Sequence, residues 1–378
     1  MKKINCALLF NSLRNNKVNF FTGVPDSLLK DFCAYIADNA DSREHIIAAN
    51  EGGAVALAVG YHLATGKVPL VYLQNSGLGN MMNPILSLVD KEIYGIPMII
   101  MIGWRGEPGV KDEPQHIKQG RVQNDLLKVM EIPYKVLDEN IVNVETFINE
   151  IVEVATLQSS PIAIIIRQGL FETYKVIEKE FPEYAMSREN AIQEILRNLS
   201  GEEVVVSTTG KTSREVFEYR VANNQGNQND FLTVGSMGHA SQIALGIALF
   251  SNKKTVCLDG DGAAIMHMGS LAISGTSKAK KFLHIVLNNG AHDSVGGQPT
   301  VAFNIDFVRI AKACGYKEAL SISDEAEIAP ALKKMLNIPG PVFLEIRIRK
   351  GAREDLGRPT KSPLENKKLL MYTLDNNR

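Results

Sequence analysis

Apolar residues along the chain fall into two alternating patterns. Short unbroken runs rich in Val, Ile, Leu and Phe recur at "VNFFTGV", "HIIAAN", "PLVYLQN", "IPMIIMIGW" and "PIAIIIRQ" in the first half. The second half repeats the rhythm at "EEVVVST", "DFLTVG", "KTVCLDG", "FLHIVLNN" and "GPVFLEIRI". Between them lie longer helical patterns such as "SLLKDFCAYIADN", "GGAVALAVGYHLATG" and "HASQIALGIALF". A strand that is apolar at every position is covered on both faces, so this alternation predicts parallel sheets in an α/β fold. Two doubly wound parallel sheets are expected, one in residues 1–180 and one in residues 187–378. The stretch "LFETYKVIEKEFPEYAMSREN", residues 170–190, is charged, contains Pro182 and lacks strand character, and it marks the boundary.

A length of 378 residues suits two domains of roughly 150–200 residues each. With 41 basic against 42 acidic residues the net charge is -1, so nothing points to nucleic acid or an anionic membrane. An anionic ligand has to be met by a few well-placed cations. The four cysteines, Cys6, Cys33, Cys257 and Cys314, form no CxxC pair and read as reduced thiols of a cytoplasmic protein. The N-terminal "MKKINCALLFNSLRNNK" is an amphipathic first helix and not a signal peptide. No apolar run reaches the roughly 18 residues of a membrane span.

In sheets of this type ligands bind beyond the carboxyl ends of the strands. Six strand ends here are polar or glycine-rich: those carrying Asp26 and Ser27, Asn50 and Glu51, the "QNSGLGN" turn, Gly235 to His239, Asp261, and Asn288 with Asn289. Between Gly103 and Gly120 lies an irregular stretch, "GWRGEPGVKDEPQHIKQG", rich in Gly, Pro and charge. The segment "STTGKTS" imitates the end of a P-loop, but the first glycine of that motif would fall at Val205, so the pattern fails.

The run "CLDGDGAA" ends a strand in Asp261 between Gly260 and Gly262. A strand tip that meets a helix start can approach a phosphate closely. A carboxylate there repels the phosphate unless a cation sits between them. Magnesium binds six oxygens and is commonly shared between protein groups and phosphates. About one βα unit later, "NNGAH" offers an amide oxygen from Asn288 or Asn289 and a backbone carbonyl at Ala291. Neighbouring tips of a parallel sheet would then hold the cation together, with the diphosphate on the N–H groups after Gly262 and Ala263.

GDG followed at this spacing by NN resembles the metal–diphosphate signature of the thiamin-diphosphate-dependent enzymes. "ANEGGAVALAVGYHLATG", "VGSMGHASQIALGIAL" and "FTGVPDSLL" extend the resemblance through both halves, in the compact decarboxylase form without a middle domain. The resemblance implies a pyrimidine-binding domain in residues 1–180 and a pyrophosphate-binding domain in 187–378, with thiamin diphosphate and Mg2+ as cofactors. It implies that Glu51 hydrogen-bonds the pyrimidine and activates the cofactor's carbon by acid–base work. Met237 becomes the wedge that bends the cofactor, the Gly235 carbonyl an acceptor, and Ser236 part of the same contact. Asp261, Asn289 and Ala291 become the metal ligands. On the substrate side stand Asp26 or Ser27, with His116 and His292 as proton donors. Phosphonate binding falls to cations such as Arg105, Lys111, Lys118, Arg121, Arg353 or Arg358. The implied reaction is non-oxidative decarboxylation of 3-phosphonopyruvate to phosphonoacetaldehyde and CO2 in 2-aminoethylphosphonate biosynthesis, with sulfopyruvate as the alternative substrate. A homo-oligomer with active sites at the subunit interface is also implied. A non-catalytic protein that merely retains the cofactor has no need of Glu51.

Overall fold

The computed structural model describes residues 3–141, 143–175, 177 and 182–375. The chain divides into two compact units, Met1–Lys179 and Glu180–Arg378. The first is built on six strands: β1 (Phe21–Gly23), β2 (His45–Ile47), β3 (Leu70–Gln74), β4 (Met98–Gly103), β5 (Tyr134–Leu137) and β6 (Pro161–Ile166). Their order is β2-β1-β3-β4-β6-β5 and every pairing is parallel. The second unit carries β7 (Val204–Ser207), β8 (Asp230–Leu232), β9 (Thr255–Gly260) and β10 (Phe282–Asn288). A short hairpin of β11 (Ala291–His292) and β12 (Gln298–Pro299) follows, then β13 (Glu318–Ile322) and β14 (Val342–Arg347). Its main sheet is again all parallel, in the order β13-β14-β10-β9-β7-β8.

The unbroken apolar runs have the cause that the pattern predicts. In β4, Ile99 and Met101 enter one core of the first unit while Met98, Ile100 and Ile102 enter the other, on the opposite face. In β9, Val256 and Leu258 face one core of the second unit and Cys257 the other. Each such side chain, fully buried, contributes about 1.5–3 kcal/mol. Two strands of the main sheets, β5 and β13, lie outside the ten apolar runs. Both are sheet edges, and they are only partly buried, so they carry no continuous apolar signal. The stretch 103–120 is loop only in its first part. A helix, Pro114–Val129, begins inside it with proline at the first position, where a missing N–H costs nothing. Among the described residues, no helix is long and apolar enough to cross a membrane.

Candidate active site

Strand order reverses between β1 and β3 in the first unit, and between β7 and β9 in the second. Such switch points open a crevice at the carboxyl ends of the strands. Asp26, Ser27 and Glu51 meet residues of the β3 end and the 103–120 stretch at the first, and Asp261 meets Asn289 at the second.

After β1 comes Asp26, fully buried. Its carboxylate accepts from Gln74 Nε2 at 2.6 Å and from Leu28 N at 2.9 Å. Burial raises its pKa, opposed by Gln74, the local N–H groups and the Arg105 charge. Ser27 Oγ accepts from Arg105 Nη1 at 2.7 Å. The rest of the Arg105 fork is committed to Asp112, through Nε at 2.8 Å and through Nη2. Asp112 also accepts from Gly106 N and Glu113 N, each at 2.7 Å, and lies 2.9 Å from His116 Nδ1. Despite its burial, these partners, Arg105 first, hold the Asp112 carboxyl well below the usual range. Burial lowers the pKa of His116, and Asp112 opposes that shift. With Asp112 ionised, Nδ1 carries the imidazole proton and Nε2 is left as an acceptor. Asp112 thus ties Ser27, Arg105 and His116 into one cluster.

Glu51 opens the helix Glu51–Thr65, where the Asn50 side chain caps Gly53 N at 2.8 Å. The Glu51 side chain is buried, and Oε2 accepts from Asn80 Nδ2 at 2.8 Å. It lies flat on Gly77: a Cβ there would come 2.4 Å from Oε1. Asn75 Nδ2 donates to the Arg105 carbonyl at 2.7 Å, while its buried Oδ1 has no partner among the described residues. Residues 74–80, from the last residue of β3 onward, therefore hold Asp26, Arg105 and Glu51 in place.

In the second unit Asp261 is 3% exposed. Its carboxylate accepts from Thr300 Oγ1 and from the backbone N–H groups of Gly262 and Asn289. No Lys or Arg among the described residues pairs with it, and burial raises its pKa to about 7. Asn289 Oδ1 accepts from Ala291 N at 3.1 Å while Nδ2 donates to Asp293 at 2.8 Å. Asn288 instead points into the sheet, where Nδ2 donates to Glu345 at 2.7 Å and Oδ1 accepts from Gly290 N. Of the two asparagines, Asn289 is the one beside Asp261. The His292 ring packs on Gly262, where a Cβ would meet Cε1 at 2.8 Å, and burial pushes its pKa down to about 4. Gly235 and Met237 are half-buried and Ser236 is exposed, with Ser236 held at a φ of 56°. Met237 belongs to none of the hydrophobic cores of its unit.

Beneath the Asp261 tip runs a buried polar chain. Asp259 Oδ1 accepts from Gly260 N at 3.0 Å, Oδ2 lies 3.2 Å from His284 Nε2, and His284 Nδ1 lies 3.2 Å from the Tyr316 hydroxyl. Donor atoms of Cys257, Asp259 and His284 lie within 4.8 Å of one another. Both ring nitrogens of His284 are already engaged, so this is a core network supporting the strand end.

Residues 6–129 match the model of the N-terminal TPP binding domain of thiamine pyrophosphate enzymes, and residues 208–346 match the C-terminal one. The chain is 33% identical over 377 residues to a phosphonopyruvate decarboxylase of Streptomyces viridochromogenes, covering 96% of this chain and 93% of that one. To the phosphonopyruvate decarboxylase of Streptomyces hygroscopicus it is 33% identical over 364 residues, 92% and 88% of the two chains. The chain belongs to the thiamine-pyrophosphate-dependent decarboxylases. A sulfopyruvate decarboxylase of Methanosarcina acetivorans is a more distant relative, 25% identical over 386 residues and 96% of each chain.

For a thiamine-pyrophosphate-dependent decarboxylase, two of the residues found here were not visible in sequence. Asp112 precedes His116 by four positions, a spacing that ordinary helix-start acids share. Asn80 is one of several asparagines after β3, and only the fold brings it to Glu51. Of the cations considered for an anionic substrate, Arg105 is held by Asp112 and Ser27, and Arg353 by Glu189, Glu218 and Asp355.

Proposed function

We propose that this decarboxylase acts on 3-phosphonopyruvate, releasing CO2 and phosphonoacetaldehyde, with thiamin diphosphate and Mg2+ bound. The observation that carries the metal reading is the Asp261 carboxylate, buried with no cationic partner among the described residues. A buried carboxylate in that state calls for a cation. Asp261, the Asn289 amide and the Ala291 carbonyl supply oxygens only, the donor set of a hard ion such as Mg2+. The contact from Asn289 N to Asp261 supports their acting together. Gly260, where an added Cβ would meet only Thr208 Cγ2 at 3.9 Å, leaves room for the diphosphate beside the helix start at Gly262 and Ala263.

When bound, thiamin diphosphate supplies the nucleophilic carbon and accepts the electrons released as CO2 departs. The remaining work falls to the chain. Glu51, oriented by Asn80 and seated on Gly77, moves a proton at the aminopyrimidine. Gly235, Ser236 and Met237 shape the cofactor's bend, a role favoured by the half-exposed position of Met237 outside the cores of its unit. Asp26 and Ser27 face the substrate with His116, and His292 lies by the GDG turn; these groups hold or deliver the proton that completes the aldehyde. Asp26, its pKa raised by burial, suits proton donation better than an exposed carboxylate would.

Glu51 belongs to one unit and Asp261 to the other, and the reading has them meet on one cofactor across a homo-oligomer interface. The Glu51 helix supports association: Gly53, Ala56, Leu57, Gly60 and Leu63 leave an apolar exposed side. A reducing cytoplasm suits the four free thiols, and 2-aminoethylphosphonate biosynthesis is the route in which the product would be used. Sulfopyruvate is the second reading, favoured by the more distant relative. Parallel decarboxylation assays on phosphonopyruvate, sulfopyruvate and pyruvate, with thiamin diphosphate and Mg2+, decide between them. Higher kcat/KM on sulfopyruvate overturns the substrate assignment.

A further inference from the structure

The "GKTS" turn that fails as a P-loop opens the helix Lys211–Ala222, twelve residues long, directly after β7. Thr208 N donates to the Leu258 carbonyl at 2.8 Å, so this turn sits beside the end of β9 at the switch point, next to Gly260 and Asp261. On its other side the Asn289–Asp293 loop is near enough for the Asp293 charge to act on Lys211.

Two cations stand at this helix start, Lys211 and Arg214. They are three positions apart and so share a face of the helix. Both are half-buried. Among the described residues neither makes an ion pair or a side-chain hydrogen bond, and burial lowers the pKa of both. That is unusual in this unit. Arg188 is held by Glu215 and Asp293, and Arg220 by Asp230. Farther along the same helix face, Glu218 takes Arg353 and Gly357 N. Like charges one turn apart repel, and partial burial weakens the hydration that would offset this. The Arg214 charge is near enough to act on Lys211. Ser207 Oγ adds a second unmet group. It is fully buried without a partner among the described residues, on the sheet face of Val205, which this helix covers.

We propose that Lys211 and Arg214, at the start of this helix, form a subsite for a tetrahedral phospho- or phosphono-dianion. Lys211 provides a point charge, and Arg214 offers a planar fork matched to two oxygens. The anion could be the substrate's phosphonate or the cofactor's diphosphate. Assignment to the phosphonate rests on the substrate reading above; the subsite itself does not.

The test uses the full chain and the variants Lys211→Gln, Arg214→Gln, Arg214→Lys and the double glutamine variant, each checked for an unchanged melting temperature. Methylphosphonate binding is followed by 31P NMR titration, and thiamin diphosphate affinity in Mg2+ by calorimetry. A loss of methylphosphonate affinity of tenfold or more, with cofactor affinity unchanged, assigns the subsite to the substrate. The ratio of phosphonopyruvate to pyruvate turnover should then fall in parallel. The reverse result, tenfold weaker cofactor binding alone, assigns it to the diphosphate. Arg214→Lys should show an intermediate loss, because charge remains while the fork is gone, and it serves if a glutamine variant unfolds. Wild-type affinities for both ligands in the double variant overturn the proposal. If the wild type prefers sulfopyruvate, only the substrate reading fails, since the two titrations still report on the subsite.

Discussion

Replacing Asp112 with asparagine keeps the shape of the side chain and removes its charge. In the native arrangement the carboxylate accepts from Arg105 Nε and Nη2, Gly106 N, Glu113 N and His116 Nδ1. Breaking a buried pair by removing one partner costs about 3–5 kcal/mol. The Arg105 side chain is 19% exposed and water screens part of the loss, so about 2–4 kcal/mol is expected here. For a unit of this size that lowers Tm by roughly 4–16 °C, measured by scanning calorimetry at pH 7. The pH dependence adds a second reading. The Asp112 carboxyl is depressed in the folded state, so its contribution is present above the ordinary carboxylate pKa of about 4 and is lost as pH falls below it. The gap between wild type and variant should therefore close on acidification. Asp112 also raises the His116 pKa against the effects of burial and Arg105. With His116 as a proton donor, loss of Asp112 should move the alkaline limb of the kcat/KM profile to lower pH. A variant that melts within about 1 °C of wild type, with an unmoved profile, would refute the account of the cluster.

Asp261→Ala should leave a folded protein that no longer retains thiamin diphosphate in response to Mg2+; undiminished affinity in calorimetry would remove Asp261 from the metal site. Gly77→Ala should push the Glu51 carboxylate aside and mimic Glu51→Gln, with turnover reduced about 100- to 10,000-fold while the cofactor still binds. Normal turnover in Gly77→Ala would mean that Glu51 tolerates displacement.

Much of this arrangement is legible in the chain because each layer repeats one signal. Strands such as β4 and β6 are apolar throughout, since both faces are covered, and polar strand ends stand out against that background. Asp261 could be paired by spacing with the Asn288–Asn289 tip because consecutive βα units put their tips side by side. The edge strands β5 and β13 escape for the opposite reason, as half-exposed strands mix polar and apolar positions. Side-chain partnerships are a different kind of information. That Asn288 is bonded to Glu345 while Asn289 lies by Asp261, or that Arg105 is taken by Asp112, depends on contacts 57 and 7 residues apart in sequence. No local pattern encodes them.

The buried chain of Asp259, His284 and Tyr316 also bears on how the second sheet assembles. In the native pairing Cys257 stands opposite His284, and Gly260 opposite Leu287. A one-residue slip of β10 would rotate His284 to the other face of the sheet. The Asp259 carboxylate would then be buried without its imidazole, a penalty of several kcal/mol. Purely apolar neighbours such as Val256 and Ile285 exert no comparable discrimination, because one aliphatic contact replaces another at little cost. The polar trio therefore acts as a key for strand alignment while the chain folds. Its setting fixes the ends of β9 and β10 at matched heights, so Asp261 and Asn289 emerge level with each other before any ligand arrives.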